Sequence, residues 1–242
     1  MKAAVLHQAY DFTIEDVPVP DPEPNGVVIK VHSCGVCGSD LHRYTGGVPA
    51  DWILGHEFSG DIIAVGENVK GVEIGERMVA MCGQGCGQCY WCLKGDWLKC
   101  SKMRLLGYGM SGAFAEYVSV PEFQLDTYAA RLPGSLSYEI GATAEPLSVA
   151  LYAVDKVDPR PGDAVAVIGA GVIGLCTVLV LRARGIENIM LSGRRAGRLK
   201  LAKECGATTV IDAAREDIVP VVWEKTGGRG ADVVFDCAGA TV

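Results

Sequence analysis

The chain has no run of basic residues: 22 Lys and Arg face 29 Asp and Glu, for a net charge of −7. That excludes nucleic acid and an anionic membrane surface as the main partner. A secretory signal is also lacking, because the N-terminal Met1-Lys2-Ala3-Ala4-Val5-Leu6-His7-Gln8 breaks its apolar stretch too early. There is no internal repeat and no low-complexity segment. The one candidate membrane span is 164–181, eighteen residues without a charge. Its β-branched start stops at Gly169 and glycines recur at 171 and 174, so it predicts a buried strand, a tight turn and a buried helix. With neither signal nor span, the cytoplasm is the expected location. There the ten cysteines are expected to be metal ligands or buried thiols, not disulfides.

What is present is apolar: 49 % of the 242 residues, enough for one large domain or two ordinary ones. Residues 1–135 read as β-rich, with short apolar runs punctuated by Gly and Pro. Strands are predicted at 27–31, 60–65 and 113–120. From 138 to 157 the pattern turns helical and places Glu145 on a helix. Asp158-Pro159-Arg160-Pro161-Gly162-Asp163 then marks a boundary, giving domains 1–157 and 158–242. Beyond it, strands at 164–168, 188–192, 208–212 and 232–236 alternate with helices at 172–184, 195–205 and 215–226. That alternation means a parallel α/β sheet.

Cys86, Cys89, Cys92 and Cys100 form C-x2-C-x2-C-x7-C among glycines. Four thiolates in fifteen residues can close a tetrahedral shell around zinc, and nothing nearby offers an open position or a base. A structural zinc is the reading; two local disulfides are the alternative. A second set has a different character. Cys37, the His56-Glu57 pair between glycines and Glu145 before Pro146 supply one thiol, one imidazole and carboxylates. A thiolate, an imidazole and a carboxylate can hold a catalytic zinc that keeps a fourth position open. Two alternatives stay open here. Cys34-Gly35-Val36-Cys37 also reads as a redox pair, although no thioredoxin-like pattern accompanies it, and His56 taken alone reads as a buried core histidine.

These motifs together, Gly55-His56-Glu57, Cys37-Gly38-Ser39-Asp40, the four-cysteine lobe and a later G-x-G-x-x-G, resemble the zinc-containing medium-chain alcohol dehydrogenases. Glu145-Pro146-Leu147-Ser148 is similar to the sorbitol (polyol) dehydrogenase branch. The resemblance covers essentially the whole chain. It implies a GroES-like β-rich catalytic domain with a zinc lobe at about 82–103, followed by a partial Rossmann sheet. It implies two zinc ions: one held by Cys37, His56 and Glu145 with Glu57 adjacent, and one held by the four lobe cysteines. Asp40 would orient the His56 ring, and Cys34 has no assigned role. The implied chemistry is a Lewis-acid zinc on the substrate oxygen, a proton taken by Ser39 and passed to solvent by His42, and hydride exchange with a nicotinamide ring.

Gly169-Ala170-Gly171-Val172-Ile173-Gly174 follows a predicted strand and opens a helix, which is the context a pyrophosphate-binding turn requires. Sheets of this type that bind NAD put an acid at the end of the second strand to hold the ribose 2′-hydroxyl. Gly193 stands there instead, followed by Arg194, Arg195 and Arg198. Guanidinium groups suit a 2′-phosphate, so NADP(H) is favoured over NAD(H).

The expected function is zinc-dependent hydride transfer between a polyol or related secondary alcohol and NADP(H). A threonine- or butanediol-type dehydrogenase is the alternative within the class, and a non-catalytic zinc and dinucleotide-binding module the alternative outside it. The sequence stops after the fourth of six Rossmann strands, so a fragment of a longer enzyme is expected. A homo-oligomer is expected of the full-length enzyme and less so of this short chain.

Overall fold

The computed structural model describes residues 1–48 and 51–239. They form two compact units, Met1–Glu145 and Pro146–Val242. The first is built on a five-stranded antiparallel sheet in the spatial order Tyr117–Val120, Val27–Gly35, Glu57–Val65, Arg77–Ala80, Ala129–Arg131. Val27, Ile29, Phe58, Ile62, Met78, Val118 and Val120 share one buried core. Each such side chain contributes roughly 1.5–3 kcal/mol by leaving water. The register pairs Gly35 with Glu57 and Cys34 with Phe58. Residues 22 and 24 apart in the chain are thereby laid side by side, and the site grows from that pairing. Two smaller sheets join Asp11–Asp16, Lys2–Gln8 and Trp52–Ile53, and Gly83–Gln84, Arg104–Leu106 and Gly109–Met110.

Two expectations are adjusted. The strand foreseen at 113–120 begins only at Tyr117, because the N–H groups of Ala113 and Phe114 donate to Gly55 and Leu54 in an irregular crossing. The helix foreseen at 138–157 is two helices, Tyr138–Ala142 and Ala144–Val157. Proline is tolerated only in a helix's first turn, so Pro146 forces a fresh start just upstream, and the break falls at Thr143. Glu145 is then in a first turn, where the helix dipole favours a carboxylate. Later turns of that helix bury Ala150 and Val154 in the core of the second unit. The compact units therefore divide at Glu145–Pro146, one helix before the boundary foreseen at 158.

In the second unit a parallel sheet runs in the order Thr209–Asp212, Asn188–Gly193, Ala164–Ile168, Val233–Asp236. That is the 3-2-1-4 portion of a Rossmann sheet. Alternation assigns its faces. Val165, Val167, Ile189 and Leu191 pack with Val178, Leu181 and Leu199, from helices Val172–Ala183 and Ala196–Cys205. Ala164, Ala166, Met190 and Ile211 point the other way, to Val222 of helix Ile218–Lys225. Helices on both faces keep a parallel sheet dry. The uncharged segment 164–181 is thus strand, turn and helix. Among the described residues no helix is long and apolar enough to cross a membrane.

Candidate active site

Cys37 sits at the N-terminus of helix Gly38–Gly46. Asp40, only 4 % exposed, accepts the backbone N–H of Cys37 at 2.9 Å and that of Gly55 at 3.3 Å. One carboxylate thereby ties together the two segments that carry Cys37 and His56. Asp40 lies 3.8 Å from His56 Nδ1, beyond hydrogen-bond length. It positions the imidazole through the backbone more than by gripping the ring.

The ligand atoms of Cys37, His56 and Glu57 all lie within 4.8 Å of one another. Glu145, which the resemblance puts in the zinc set, is not in this close group. It stands nearby: it shares a hydrogen bond with Cys82, and its charge acts on Glu57 and His56. The hydrogen bond with His56 holds the Cys37 thiol below its ordinary range, against the effect of burial. Burial, and next the negative charge of Glu145, push Glu57 up. A sulfur, a nitrogen and a carboxylate oxygen gathered this closely suit zinc with three protein ligands and one position free.

Two glycines build this corner. A Cβ on Gly35 would stand 2.3 Å from Glu57 Oε2, so the carboxylate packs directly on the backbone there. Gly55 has φ +90°, and its Cβ would meet the Phe114 ring at 2.4 Å. Gly55→Ala is expected to lower stability by about 2–4 kcal/mol, combining left-handed strain with displacement of a packed ring. Chemical denaturation tests it; a loss under about 0.5 kcal/mol, the range of an ordinary surface substitution, would mean the close approach is absent.

A cavity of about 200 Å³ opens over the site, lined by Ser39, Asp40, Arg43, His56, Cys82 and the segment 105–108. Ser39, close to the Cys37 sulfur, also helps hold that thiol down, after His56. His42 is one turn further along the same helix and exposed. Among the described residues no hydrogen bond joins Ser39 to His42. Sequence reasoning missed Cys82, Arg43 and Tyr108, which reach the cavity from separate segments without a motif. Cys34, the other half of the redox reading, is pushed up to about 12, first by burial. Its thiol donates to the carbonyl of Gly35 at 3.4 Å. A thiol so disposed is poorly suited to redox work.

The sulfurs of Cys86, Cys89, Cys92 and Cys100 also lie within 4.8 Å of one another, with Cys89 and Cys92 3.5 Å apart. Tetrahedral Zn–S bonds of about 2.3 Å would set sulfurs roughly 3.8 Å apart, so the cluster fits. All ten cysteines are free. Backbone N–H groups of Gln88 and Cys89 draw Cys86 down to about 6. Cys89 is drawn down as well, by the Cys92 backbone, while burial and the neighbouring thiols push Cys92 up to about 12.

In the second unit a cavity of about 510 Å³ is lined by Gly169, Ala170, Gly171, Gly193, Arg194, Arg195 and Arg198, among others. The three motif glycines differ in what they do. Gly169 has φ +106°, and a Cβ there would crowd Ala238 N at 2.9 Å. Gly174 packs so closely on Gly169 that its Cβ would lie 1.9 Å from that carbonyl. A Cβ on Gly171 meets nothing within 4 Å, which leaves room at the helix N-terminus for a pyrophosphate. Val172 and Ile173 start that helix. Gly193 ends the second strand, where a Cβ would be 2.6 Å from that of Ala170. Asp212, its neighbour on the next strand, accepts Ala214 N at 3.1 Å and approaches Arg215. The carboxylate common at this place in NAD sheets is absent, and three guanidinium-bearing residues stand in its surroundings.

A Cys-His-Glu set in one unit and a dinucleotide-type turn in the other define a class, the metal-dependent nicotinamide oxidoreductases. Residues 23–130 match the family model of the alcohol dehydrogenase GroES-like domain, and residues 172–242 that of the zinc-binding dehydrogenase. Sorbitol dehydrogenase of Bacillus subtilis is 37 % identical over 246 residues, covering 99 % of this chain and 69 % of that protein. (R,R)-butanediol dehydrogenase of the same organism is 40 % identical, covering 100 % of the chain and 72 % of its own length. A zinc-binding dehydrogenase from Sinorhizobium meliloti, solved bound to NADP, superposes with TM-score 0.87 at 36 % identity, covering 99 % of this chain and 70 % of that one. An alcohol dehydrogenase from Escherichia coli CFT073, complexed with NADH, gives 0.89 at 32 % identity with the same coverage. The chain belongs to the zinc-containing medium-chain alcohol dehydrogenase family, in its sorbitol dehydrogenase-like branch.

Proposed function

We propose that this oxidoreductase exchanges hydride between a polyol or related secondary alcohol and NADP(H) at a zinc held by Cys37, His56 and Glu57, with Glu145 beside it. The observation that carries the reading is the close Cys37–His56–Glu57 group, whose His56 lines a cavity that also meets Ser39. When bound, zinc supplies Lewis-acid polarisation of the substrate hydroxyl and the nicotinamide accepts or returns the hydride. Ser39 takes the hydroxyl proton, and exposed His42 passes it to solvent. Asp40 holds the Cys37 and Gly55 backbones, and buried Glu57 keeps water from the inner side of the group. The lobe cysteines hold a second, structural zinc. The lobe belongs to a catalytic domain that includes residues up to 157, followed by the dinucleotide-binding domain. The cytoplasm is the proposed location.

For the cofactor, Gly193 removes the carboxylate that would repel a 2′-phosphate, and Arg194, Arg195 and Arg198 supply charge around it. Side-by-side titrations should give NADP+ an affinity roughly 10- to 100-fold above NAD+, the range of one or two charge-assisted hydrogen bonds. Comparable affinities would overturn the preference. The butanediol- and threonine-type reading shares the same metal set, and a panel of polyols, vicinal diols and L-threonine with NADP+ separates them.

A further inference from the structure

The helix that carries Cys37 and Ser39 also carries Arg43, and its side chain reaches the same cavity as His56. Arg43 is half-buried. Its Cζ lies 4.0 Å from the centroid of the Tyr108 ring and 5.7 Å from that of Trp52. Those two rings meet edge to face at 5.5 Å. Among the described residues no carboxylate pairs with Arg43. The one acid on its own helix, Asp40, is committed to the N–H groups of Cys37 and Gly55.

A cation in the last turn of a helix suits the dipole, and at the surface that would be explanation enough. Here the guanidinium is instead laid against aromatic faces. Stacking uses the flat face of the group and leaves its N–H fork unpaired in the plane. A guanidinium set on an aromatic ring, on a residue that lines the cavity and with no acid paired to it among the described residues, matches a phosphate or carboxylate in paired hydrogen bonds.

We infer that the substrate is an anionic secondary alcohol, bound with its hydroxyl at the Cys37–His56–Glu57 end and its phosphate or carboxylate on Arg43. The inference rests on the dehydrogenase reading above. A neutral polyol would leave the Arg43 fork unpaired, and a ligand carrying its own anion would satisfy it. Tyr108 and Trp52 are then the frame that keeps the fork pointed into the cavity.

Three six-carbon probes test it: sorbitol, sorbitol 6-phosphate and gluconate, each with NADP+. The wild-type protein should favour one or both anions over sorbitol in kcat/KM, and the comparison of the two separates phosphate from carboxylate. In Arg43→Gln that anionic-to-neutral ratio should fall roughly 10- to 100-fold, the range of a hydrogen-bonded charge pair. In Arg43→Lys, which keeps charge without the fork, it should fall less. A role confined to packing would leave the ratio unchanged in both variants and overturn the inference. Equal kcat/KM for all three probes in the wild type would also overturn it, while the dehydrogenase reading stands. If none of the probes is turned over, calorimetric binding of sorbitol 6-phosphate and gluconate decides: anion binding lost in Arg43→Gln supports the inference, and anions bound no better than sorbitol refute it.

Discussion

His56→Ala is expected to lower turnover at least about 10³-fold, since Lewis-acid stabilisation is worth several kcal/mol and each 1.36 kcal/mol is a factor of ten. His56 is 13 % exposed in its side chain, and a ring nitrogen lies within 4.8 Å of both the Cys37 sulfur and a Glu57 carboxylate oxygen. Removing the imidazole leaves a thiol and a carboxylate, two donors with a gap between them, a poor site for zinc. The variant should keep its fold, because Gly55 and Asp40 are unchanged and hold the backbone. The measurement is turnover beside bound metal per chain. Loss of activity with one metal fewer fits the reading. Appreciable turnover in His56→Ala would refute a metal-centred reaction at this position.

The parts legible in sequence were those whose pattern is local. The four Rossmann strands lie within one residue of their expected bounds and the helices within three, because buried parallel strands leave continuous apolar runs. The lobe thiols were legible from spacing alone. What escaped depends on register and convergence. Glu57 enters the close group because strand pairing sets Gly35 opposite it, and no sequence pattern displays that pairing. Glu145 was named from its Glu-Pro neighbourhood and the family resemblance, and it stands near the close group, where its charge acts on Glu57 and His56. Arg43, Cys82 and Tyr108 come from a helix, a loop after a strand and a turn, and only the fold shows that they share a cavity. The break at Thr143 was readable in principle, since Pro146 limits how far upstream a helix can begin.

Cys89→Ser is expected to remove the lobe metal and to unfold the lobe locally while the five-stranded sheet survives. The four thiols hold segments that have little else in common. Cys89 opens the short helix Tyr90–Leu93, and Cys100 follows the turn Trp97–Lys99. Within the lobe most large apolar groups face water: Tyr90, Trp91, Leu93 and Leu98 are all exposed. An apolar core therefore contributes little to holding these turns; short backbone hydrogen bonds order them locally, and the proposed metal would supply the cross-link, as in small metal-dependent domains. A serine hydroxyl is a far weaker zinc ligand than a thiolate, and three thiolates on flexible turns lose the closed shell. The effect should spread only where packing carries it. Gly85 approaches Cys92 so closely that a Cβ would stand 2.7 Å from its sulfur, and Trp97 meets Tyr128 edge to face at 5.4 Å. Tyr128 N–H and carbonyl groups in turn join Gln124 and Met81, beside Cys82 at the cavity wall. Metal content should fall by one per chain, amide hydrogens at 86–100 should exchange fast, and those of the strand Glu57–Val65 should stay protected. Unchanged metal content in Cys89→Ser would sink the zinc assignment for the lobe. Loss of protection throughout the first unit would instead make the lobe a condition of the whole domain's folding.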